Sequence, residues 1–320
     1  MKPVEAVFDA AGASVPRVMQ RVERRMAEVS VDHGAALARH AGETIAAGGK
    51  RLRPLLVCLA AGVPSPESDT LVHSAVAVEL VHGATLVHDD VLDASLLRRG
   101  RPTVVASSGR RMATATGDLL FSRAFAELSL TRSLSAVCAL SRASSELALG
   151  ELMQRSDAWS GDVTVGRYLE RCRLKTAVLF RAACELGAIE GEGPMDTLGT
   201  FGEQIGLAFQ LLDDVLDVSG PPERTGKPQG ADLLDGTITL PLIEARARDR
   251  ELAALEVRDL RTATDARAVC ERIAATGALE TARARALQMV AGAKSILPAL
   301  PDRQRAALDL VADGVVERYS

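Results

Sequence analysis

The most distinctive residues in this sequence form an acidic pentapeptide, DDVLD, which begins at Asp89 and occurs again, letter for letter, at Asp213. Each copy follows an apolar stretch. Residues four positions apart project from the same face of a helix, so Asp89 lies beside Asp93 and Asp213 beside Asp217. Clusters made only of carboxylates suit hard cations, and Mg²⁺ above all when phosphate groups complete its ligand shell. The pattern therefore predicts two carboxylate sites for a metal ion and a phosphorylated substrate.

Three carboxylates within one helical turn are expected to raise one another's pKa unless a cation intervenes. A solvated acidic helix face is the alternative interpretation, and for a single DDxxD pattern the two interpretations are comparable. An exact repeat on two apolar helices favours the metal site. The sequence contains no H-E-x-x-H pattern, so a zinc hydrolase is unsupported.

Basic residues accompany both acidic motifs and supply the other half of a phosphate site. Arginine offers a planar fork for two phosphate contacts, whereas lysine is a compact point charge. The cations that flank a motif, follow a glycine break or lie in a small-residue helix are Lys50, Arg51, Arg53, Arg98, Arg99, Arg101, Lys175 and Lys227. The GGK at 48–50 is not a P-loop, because G-x-x-x-x-G-K-[ST] is absent. His82 lies two helical turns before Asp89 and is either a core histidine or a ligand of the same site.

The elements that must position these groups are helices almost throughout. Strand-like alternation is scarce, and aromatic residues make up only 3% of the chain. Glycine and proline breaks separate the helical segments at 62–66, 99–102, 160–162, 192–194, 219–230 and 297–301. No linker or shift in composition divides the chain. We predict one all-α domain over residues 1–320, with a mobile loop at 219–232 that closes as a lid.

Composition excludes several functional classes. The chain of 320 residues has 42 acidic and 38 basic residues, a net charge that does not suit a general nucleic-acid binder. Five cysteines are scattered singly, as in a reduced cytoplasmic protein. The N-terminus lacks the apolar core of a secretory signal, and no apolar run approaches the roughly 18 residues that span a bilayer. We expect a cytoplasmic protein without a transmembrane segment, and peripheral membrane contact stays open.

Taken together, these motifs resemble those of the trans-isoprenyl diphosphate synthases, the polyprenyl synthetase family. The segments that carry the resemblance are GGKRLRP at 48–54, ELVHGATLVHDDVLDASLLRRGRPTV at 79–104, GDLLF at 117–121, Lys175-Thr176, FQLLDDVLDVSG at 209–220 and GKPQGADLLDGTITLPL at 226–242. Two DDxxD motifs with GGKRxRP and RRG in this order form a highly specific set.

The resemblance implies a single large helical bundle around a deep central cavity, usually in a homodimer. It also implies head-to-tail condensation of isopentenyl diphosphate with an allylic diphosphate, with Mg²⁺ as the cofactor. The implied catalytic residues are Asp89, Asp90, Asp93, Lys175, Thr176, Gln210 and Asp213.

The resemblance further implies a division of labour among these residues. The metal ligands would be Asp89, Asp93, Asp213 and Asp217, supported by Asp90 and Asp214. The allylic diphosphate would be bound by Arg98, Lys175 and Lys227. Isopentenyl diphosphate would be bound by Lys50, Arg53, His82 and Arg99. Thr176 and Gln210 would face the developing carbocation.

In this family, the residues four and five positions before the first DDxxD help to set product length, and here they are the small residues Thr85 and Ala84. We therefore predict a medium- or long-chain polyprenyl diphosphate. A cavity floor at Phe121 and Phe125 would instead give a short-chain product, as in geranylgeranyl or farnesyl diphosphate synthases. A class I terpene cyclase is another alternative, although its second metal motif is normally of Asn/Ser/Glu type. A non-catalytic subunit of a heteromeric synthase is a third, although such subunits generally lose an aspartate motif.

Overall fold

The computed structural model describes residues 2–31, 35–46, 49, 51–62, 65–98, 100–221 and 228–317. Helices make up nearly all the regular structure of these residues, and a pair of two-residue strands is the exception. The predicted all-α fold is therefore confirmed. Lys50, Arg99, Lys227 and the central part of the predicted lid lie outside the described residues.

The elements follow one another along the chain with breaks near the predicted glycine and proline positions. The first are α1 (Lys2–Ala11), α2 (Ser14–Val31), α3 (Ala35–Ala46), α4 (Leu52–Ala60), α5 (Asp69–Leu92), β1 (Leu97–Arg98), β2 (Arg101–Pro102), α6 (Val104–Ser129) and α7 (Leu134–Asp157). The next are α8 (Val165–Cys172), a π-helical segment (Arg173–Ala177), α9 (Val178–Glu190), α10 (Met195–Ser219), α11 (Ala231–Leu234), α12 (Leu240–Arg246) and α13 (Arg250–Ala253). The last are a 3₁₀ turn (Val257–Asp259), α14 (Ala263–Ala275), α15 (Ala278–Ile296) and α16 (Asp302–Glu317).

The chain forms two compact units. Unit one comprises Met1–Ser144, Leu179–Gly202 and Leu297–Val311. Unit two comprises Ser145–Val178, Glu203–Ile296 and Ala312–Ser320. The single domain with a central cavity stays a prediction.

Helix α5 forms much of the core of unit one. The side chain of Ser68 accepts a hydrogen bond from the backbone N–H of Leu71 at 3.2 Å and so caps the helix start. Residues 74–81 are all buried, which means that the middle of the helix is covered on every side. By length and composition α5 could cross a membrane, but 67% of its most apolar window is buried inside the protein, as in a core helix. The absence of a transmembrane segment stays a prediction.

Two glycines allow α9 to approach α4 closely in unit one. A Cβ on Gly187 would collide with the carbonyl oxygen of Val57, and a Cβ on Gly191 would collide with that of Ala61. The close packing leaves every residue of α4 from Pro54 onward buried. This contact sets the C-terminal half of α4 beside α9.

A short hairpin follows α5. Strands β1 and β2 pair antiparallel, with Arg98 opposite Arg101. Thr103 then caps α6, because its hydroxyl accepts a hydrogen bond from the N–H of Ala106 at 3.1 Å and donates one to the carbonyl of Ser95 at 2.6 Å. The hairpin thereby directs Arg98 back toward the end of α5.

In unit two, α8 continues directly into the wider π-helical segment. A Cβ on Gly150 of α7 would lie only 2.7 Å from the backbone nitrogen of Lys175 and 2.8 Å from the carbonyl carbon of Leu174. The glycine therefore lets α7 pack directly against this widened turn. Such π-helical turns occur frequently at functional sites, and this one carries Lys175 and Thr176.

Candidate active site

The first DDVLD copy lies at the C-terminal end of α5 in unit one. Asp89 is half-buried in the last turn, and Asp93 is exposed at the C-cap. The middle carboxylate, Asp90, is buried, and its Oδ1 lies 2.9 Å from Nε and 2.8 Å from Nη2 of Arg98. Arg98 thus neutralises Asp90, and the two outer carboxylates are the more accessible members of the motif.

Two arginines at the start of α4 have different environments. The Arg53 guanidinium lies over the ring of Phe180, with Cζ 4.7 Å from the ring centroid, and its buried Nε has no hydrogen-bond partner. Burial lowers the pKa of Arg53 to about 10, so the side chain is still charged at neutral pH. Arg51 instead donates to Glu79 at 2.9 Å and to Glu23 at 2.7 Å. Arg53 therefore keeps a donor for an anion, whereas Arg51 is already paired with two carboxylates of unit one.

His82 lies on α5 and is half-buried, about two turns before Asp89. Its place on the helix matches the predicted stripe, while its role as a ligand stays a prediction. Two other residues predicted to bind isopentenyl diphosphate, Lys50 and Arg99, lie outside the described residues.

The second DDVLD copy lies within α10, in unit two. Its middle carboxylate, Asp214, is buried and accepts a hydrogen bond from the hydroxyl of Tyr168 at 2.6 Å. The Nε2 of Gln210 donates to the other oxygen of Asp214 at 2.7 Å, and the Thr176 hydroxyl donates to Oε1 of Gln210, also at 2.7 Å. The structure therefore brings the predicted pair Thr176 and Gln210 into direct contact.

The outer members of this copy differ in exposure. Asp213 is half-buried, whereas Asp217 is buried, and its Oδ2 accepts a hydrogen bond from the backbone N–H of Asp232 at 3.2 Å. The carbonyl of Asp217 also accepts from the N–H of Gly230 at 2.9 Å. Asp217 thus holds the start of α11 in addition to its predicted role as a metal ligand.

Lys175 forms a close ion pair within unit two. Its Nζ lies 2.5 Å from Oε2 of Glu151 on α7, and the other oxygen of Glu151 accepts from Nε of Arg155 at 2.6 Å. Burial tends to raise the pKa of Glu151, but the charges and hydrogen bonds of Lys175 and Arg155 outweigh it and lower the pKa. Glu151 is therefore a firm anionic partner for the predicted diphosphate ligand Lys175.

The middle carboxylates show the expected rise in pKa, although for a different main reason. Burial raises the pKa of Asp90, Arg98 opposes the rise, and Asp93 adds to it. Burial likewise raises the pKa of Asp214 well above its usual value, and Asp232 adds to that rise. Desolvation is thus the larger cause, and repulsion between neighbouring carboxylates is secondary.

The donor set fits a hard divalent cation that shares its shell with substrate. Within the part of the chain that the structure describes, no three His, Cys, Asp or Glu side chains are grouped to hold a metal ion by themselves. Mg²⁺ typically keeps several waters and takes only one or two carboxylates together with substrate phosphates. A pair of aspartates at each motif matches that requirement.

Two residues of this site escaped the sequence analysis. Tyr168 is 46 positions from Asp214, and Glu151 is 24 positions from Lys175, so neither pairing follows from local spacing. The chain has only two tyrosines, and the presence of one shortly before the Lys175-Thr176 pair was the available cue for Tyr168. No comparable cue existed for Glu151.

The motifs and their geometry agree with comparisons to known proteins. Residues 35–275 match the sequence profile of the family described as polyprenyl synthetase. The chain belongs to the polyprenyl synthetase family. It is accordingly a trans-prenyltransferase, and the predicted family and activity are confirmed.

Relatives of this polyprenyl synthetase cover almost the whole chain. It is 37% identical to heptaprenyl diphosphate synthase component 2 of Geobacillus stearothermophilus, over 93% of each chain. It is 35% identical to the geranylgeranyl diphosphate synthase of Methanosarcina mazei, over 85% of this chain and 86% of the relative. A polyprenyl synthase from Caulobacter crescentus, solved in complex with calcium and isoprenyl diphosphate, has a TM-score of 0.88 and 36% identity, over 97% of this chain and 99% of the other. Because these names span different products, family membership leaves the product length open.

Proposed function

We propose that this chain condenses isopentenyl diphosphate head-to-tail with an allylic diphosphate, and that Mg²⁺ is bound by the outer carboxylates of the two DDVLD copies. The observation that carries this proposal is shared by both copies. In each one, the protein itself holds the middle carboxylate, through Arg98 for Asp90 and through Tyr168 and Gln210 for Asp214. The candidate metal ligands are the outer carboxylates: Asp89, Asp93 and Asp213, which are more exposed than the middle ones, and Asp217, which is buried and also accepts from the N–H of Asp232.

The chemistry requires charge neutralisation rather than a protein nucleophile. An allylic C–O bond ionises, the alkene of isopentenyl diphosphate attacks the cation, and a proton is lost. Bound Mg²⁺ would offset the negative charge that accumulates on the departing diphosphate. The chain's own cations for that diphosphate are Arg98, Lys175 and Lys227.

Lys175 reaches its proposed role from an existing ion pair. Its ammonium group is held by Glu151 at 2.5 Å, and Arg155 shares the same carboxylate. A diphosphate carries more negative charge than one carboxylate and competes for the ammonium group on that basis. Glu151 therefore holds Lys175 in place until the substrate arrives.

The acceptor substrate would be bound by a second group of side chains, Lys50, Arg53, His82 and Arg99. Among them, Arg53 has the clearest support, since its guanidinium is charged and its buried Nε lacks a partner. A buried donor without a partner costs free energy, and an incoming anion relieves that cost. Thr176 and Gln210 would face the allylic cation with their oxygen atoms.

A medium- or long-chain product is supported by the side chains on the last turns of α5. Ala84 is fully buried and Thr85 is half-buried, so neither places a bulky ring there. The alternative floor residue Phe121 on α6 stacks against His88, with ring centroids 5.9 Å apart, near the motif in unit one. A short-chain product remains the alternative that this stacked ring favours.

We also propose a homodimer in the cytoplasm. Leu149 and Leu152, three residues apart on α7, are 54% and 67% exposed, so two apolar side chains lie side by side on one exposed face of the helix. A second copy of the chain would cover it. The cytoplasm is supported by five free cysteines, four of them buried. Sedimentation of a Leu152→Glu variant as a monomer would support the dimer, with Leu287→Glu on α15 as a matched exposed-leucine control.

Product chromatography tests the proposed reaction. Purified protein is incubated with Mg²⁺, isopentenyl diphosphate and allylic primers of different length. Extension that needs all three components is the expected result. Release of a hydrocarbon from one allylic diphosphate alone would identify a terpene cyclase instead, and no extension of any primer would refute the proposal.

A further inference from the structure

A continuous chain of hydrogen bonds joins four side chains of unit two. Tyr168 donates to Asp214 at 2.6 Å, Gln210 donates to Asp214 at 2.7 Å, and Thr176 donates to Gln210 at 2.7 Å. The four residues come from three elements, namely α8, the π-helical segment and α10. These hydrogen bonds therefore connect the fully buried phenol of Tyr168 to the two side chains proposed to face the allylic cation.

The carboxyl group of Asp214 determines which way the Gln210 amide points. Oδ1 of Asp214 accepts from Nε2 of Gln210, which leaves Oε1 to accept the hydrogen of the Thr176 hydroxyl. A flipped amide would place its oxygen against the carboxyl oxygen and lose the bond to Asp214, and the Thr176 hydroxyl would then accept from the amide instead of donating to it.

Tyr168 is what holds the carboxyl group itself. Its side chain is 1% exposed, and its hydroxyl occupies Oδ2 of Asp214, the oxygen that Gln210 does not use. The guanidinium of Arg171 lies over the ring of Tyr168, with Cζ 5.6 Å from the ring centroid. Without the hydroxyl, Asp214 would lose its link to α8 and could rotate, and the Gln210 amide would lose a fixed partner.

We propose that Tyr168 is a positioning residue for the condensation reaction. Acting through Asp214 and Gln210, it sets the oxygen of Thr176 so that its lone pairs, rather than its hydrogen, are offered to the cation. Dipoles oriented before the reaction stabilise charge without the cost of reorganisation. The inference rests on the proposed roles of Thr176 and Gln210, because Tyr168 itself is separated from them by Asp214.

The first test is Tyr168→Phe, which removes the hydroxyl and keeps the ring and its apolar contacts. We expect kcat for the condensation to fall about 10-fold to 100-fold. We expect KM for both substrates to change by less than about twofold, because the diphosphate ligands are untouched. Ser74→Ala is the matched control, since Ser74 is also a buried hydroxyl that donates to a carboxylate, Glu190, at 3.1 Å in unit one. Its kcat should stay at the wild-type value.

A double-mutant cycle separates positioning from a purely structural role. If Tyr168 acts through Gln210, then Tyr168→Phe should lower kcat by less than about twofold further when Gln210 is already leucine. If the loss of kcat in the double variant equalled the product of the two single-variant losses, the proposal would be overturned. An unchanged kcat in Tyr168→Phe alone would also overturn it. Loss of cooperative unfolding in Tyr168→Phe would overturn it as well, since Tyr168 would then be a stability residue. Absence of extension by the wild-type protein would count against the proposed function, which keeps the two failures distinct.

Discussion

At the scale of single residues, each DDVLD copy divides its carboxylates between two tasks. Asp90 and Asp214 are buried and bonded to the protein, whereas Asp89 and Asp213 are half-buried on the same helices. The first task orients the motif, and the second is the proposed binding of metal ions. A substitution at an outer position should therefore affect turnover more than stability.

Asp213→Asn tests this division. The change keeps the shape of the side chain but removes the charge that would bind Mg²⁺, so we expect kcat to fall about 10²-fold to 10³-fold. Steady-state kinetics over a range of Mg²⁺ concentrations, with thermal unfolding alongside, gives the measurement. Asp196→Asn, at an exposed position in the first turn of the same helix, is the control and should retain full activity. Near-wild-type turnover in Asp213→Asn would contradict the assignment.

A buried carboxylate outside the site should make unit one sensitive to acid. Glu127 is 1% exposed and accepts from Arg25 at 2.7 Å and from Nδ1 of His73 at 2.8 Å. Burial tends to raise the pKa of Glu127, but these partners outweigh it and lower the pKa below the ordinary value of 4.5. A group with a lowered folded pKa binds fewer protons when folded. Its contribution is therefore complete above pH 4.5 and is lost as the pH falls through the folded pKa.

Glu127→Gln should remove that acid sensitivity. We expect it to lower the free energy of unfolding at neutral pH by about 3 kcal/mol, because it leaves Arg25 without its buried partner. We also expect its stability to change less than that of the wild type as the pH falls below 4.5, the ordinary carboxyl value. Urea unfolding at several pH values measures both effects. Glu28→Gln removes an exposed partner of the same arginine and should resemble the wild type. If the free energy of unfolding of Glu127→Gln fell with pH as steeply as that of the wild type, another group would be responsible for the acid sensitivity.

At the scale of elements, the π-helical segment depends on a neighbour that lacks a side chain. Lys175 and Thr176 lie on the widened turn, and Gly150 of α7 provides the space against its backbone. The two atoms nearest to a Cβ at Gly150 are backbone atoms, which cannot move away as the end of a flexible side chain can. The position of the two functional side chains is therefore tied to the absence of a Cβ on another helix.

Gly150→Ala should displace the widened turn. We expect a loss of about 1–3 kcal/mol in the free energy of unfolding from overpacking. We also expect a larger loss of kcat than that destabilisation explains at the assay temperature, because Lys175 and Thr176 move together. Gly161→Ala is the matched control, since a Cβ there would meet nothing within 4 Å. Full activity of Gly150→Ala would mean that the turn tolerates the shift.

At the scale of the whole molecule, product length should depend on the volume available beside α5. Ala84→Phe adds a ring at a position that is fully buried, one turn before the DDVLD motif begins. We expect the product to shorten while primer consumption continues. Chromatography of the reaction products measures the chain length, and Leu287→Phe, at a position 48% exposed on α15, is the control. An unchanged product distribution would show that Ala84 does not border the growing chain.

The sequence by itself determined the all-α fold, the family and the residue types of the site. Periodicity and breakers predict helices because they are local properties, and two identical DDVLD copies with ordered cations are specific enough to identify the chemistry. Only the family resemblance indicated that Thr176 and Gln210 share a role, because these residues are 34 positions apart. Their hydrogen bond is seen only in the structure.

Only the tertiary structure decided how each charge is used. Arg51 and Arg53 are two residues apart and look alike in sequence, yet one is bonded to Glu23 and Glu79 and the other keeps a buried donor without a partner. Likewise, Asp213 and Asp214 are adjacent and identical in type, yet Asp213 is half-buried whereas Asp214 is buried and accepts from the distant Tyr168. The physical reason is that desolvation and hydrogen bonding depend on which distant residues pack around a group, and local spacing carries no information about that packing.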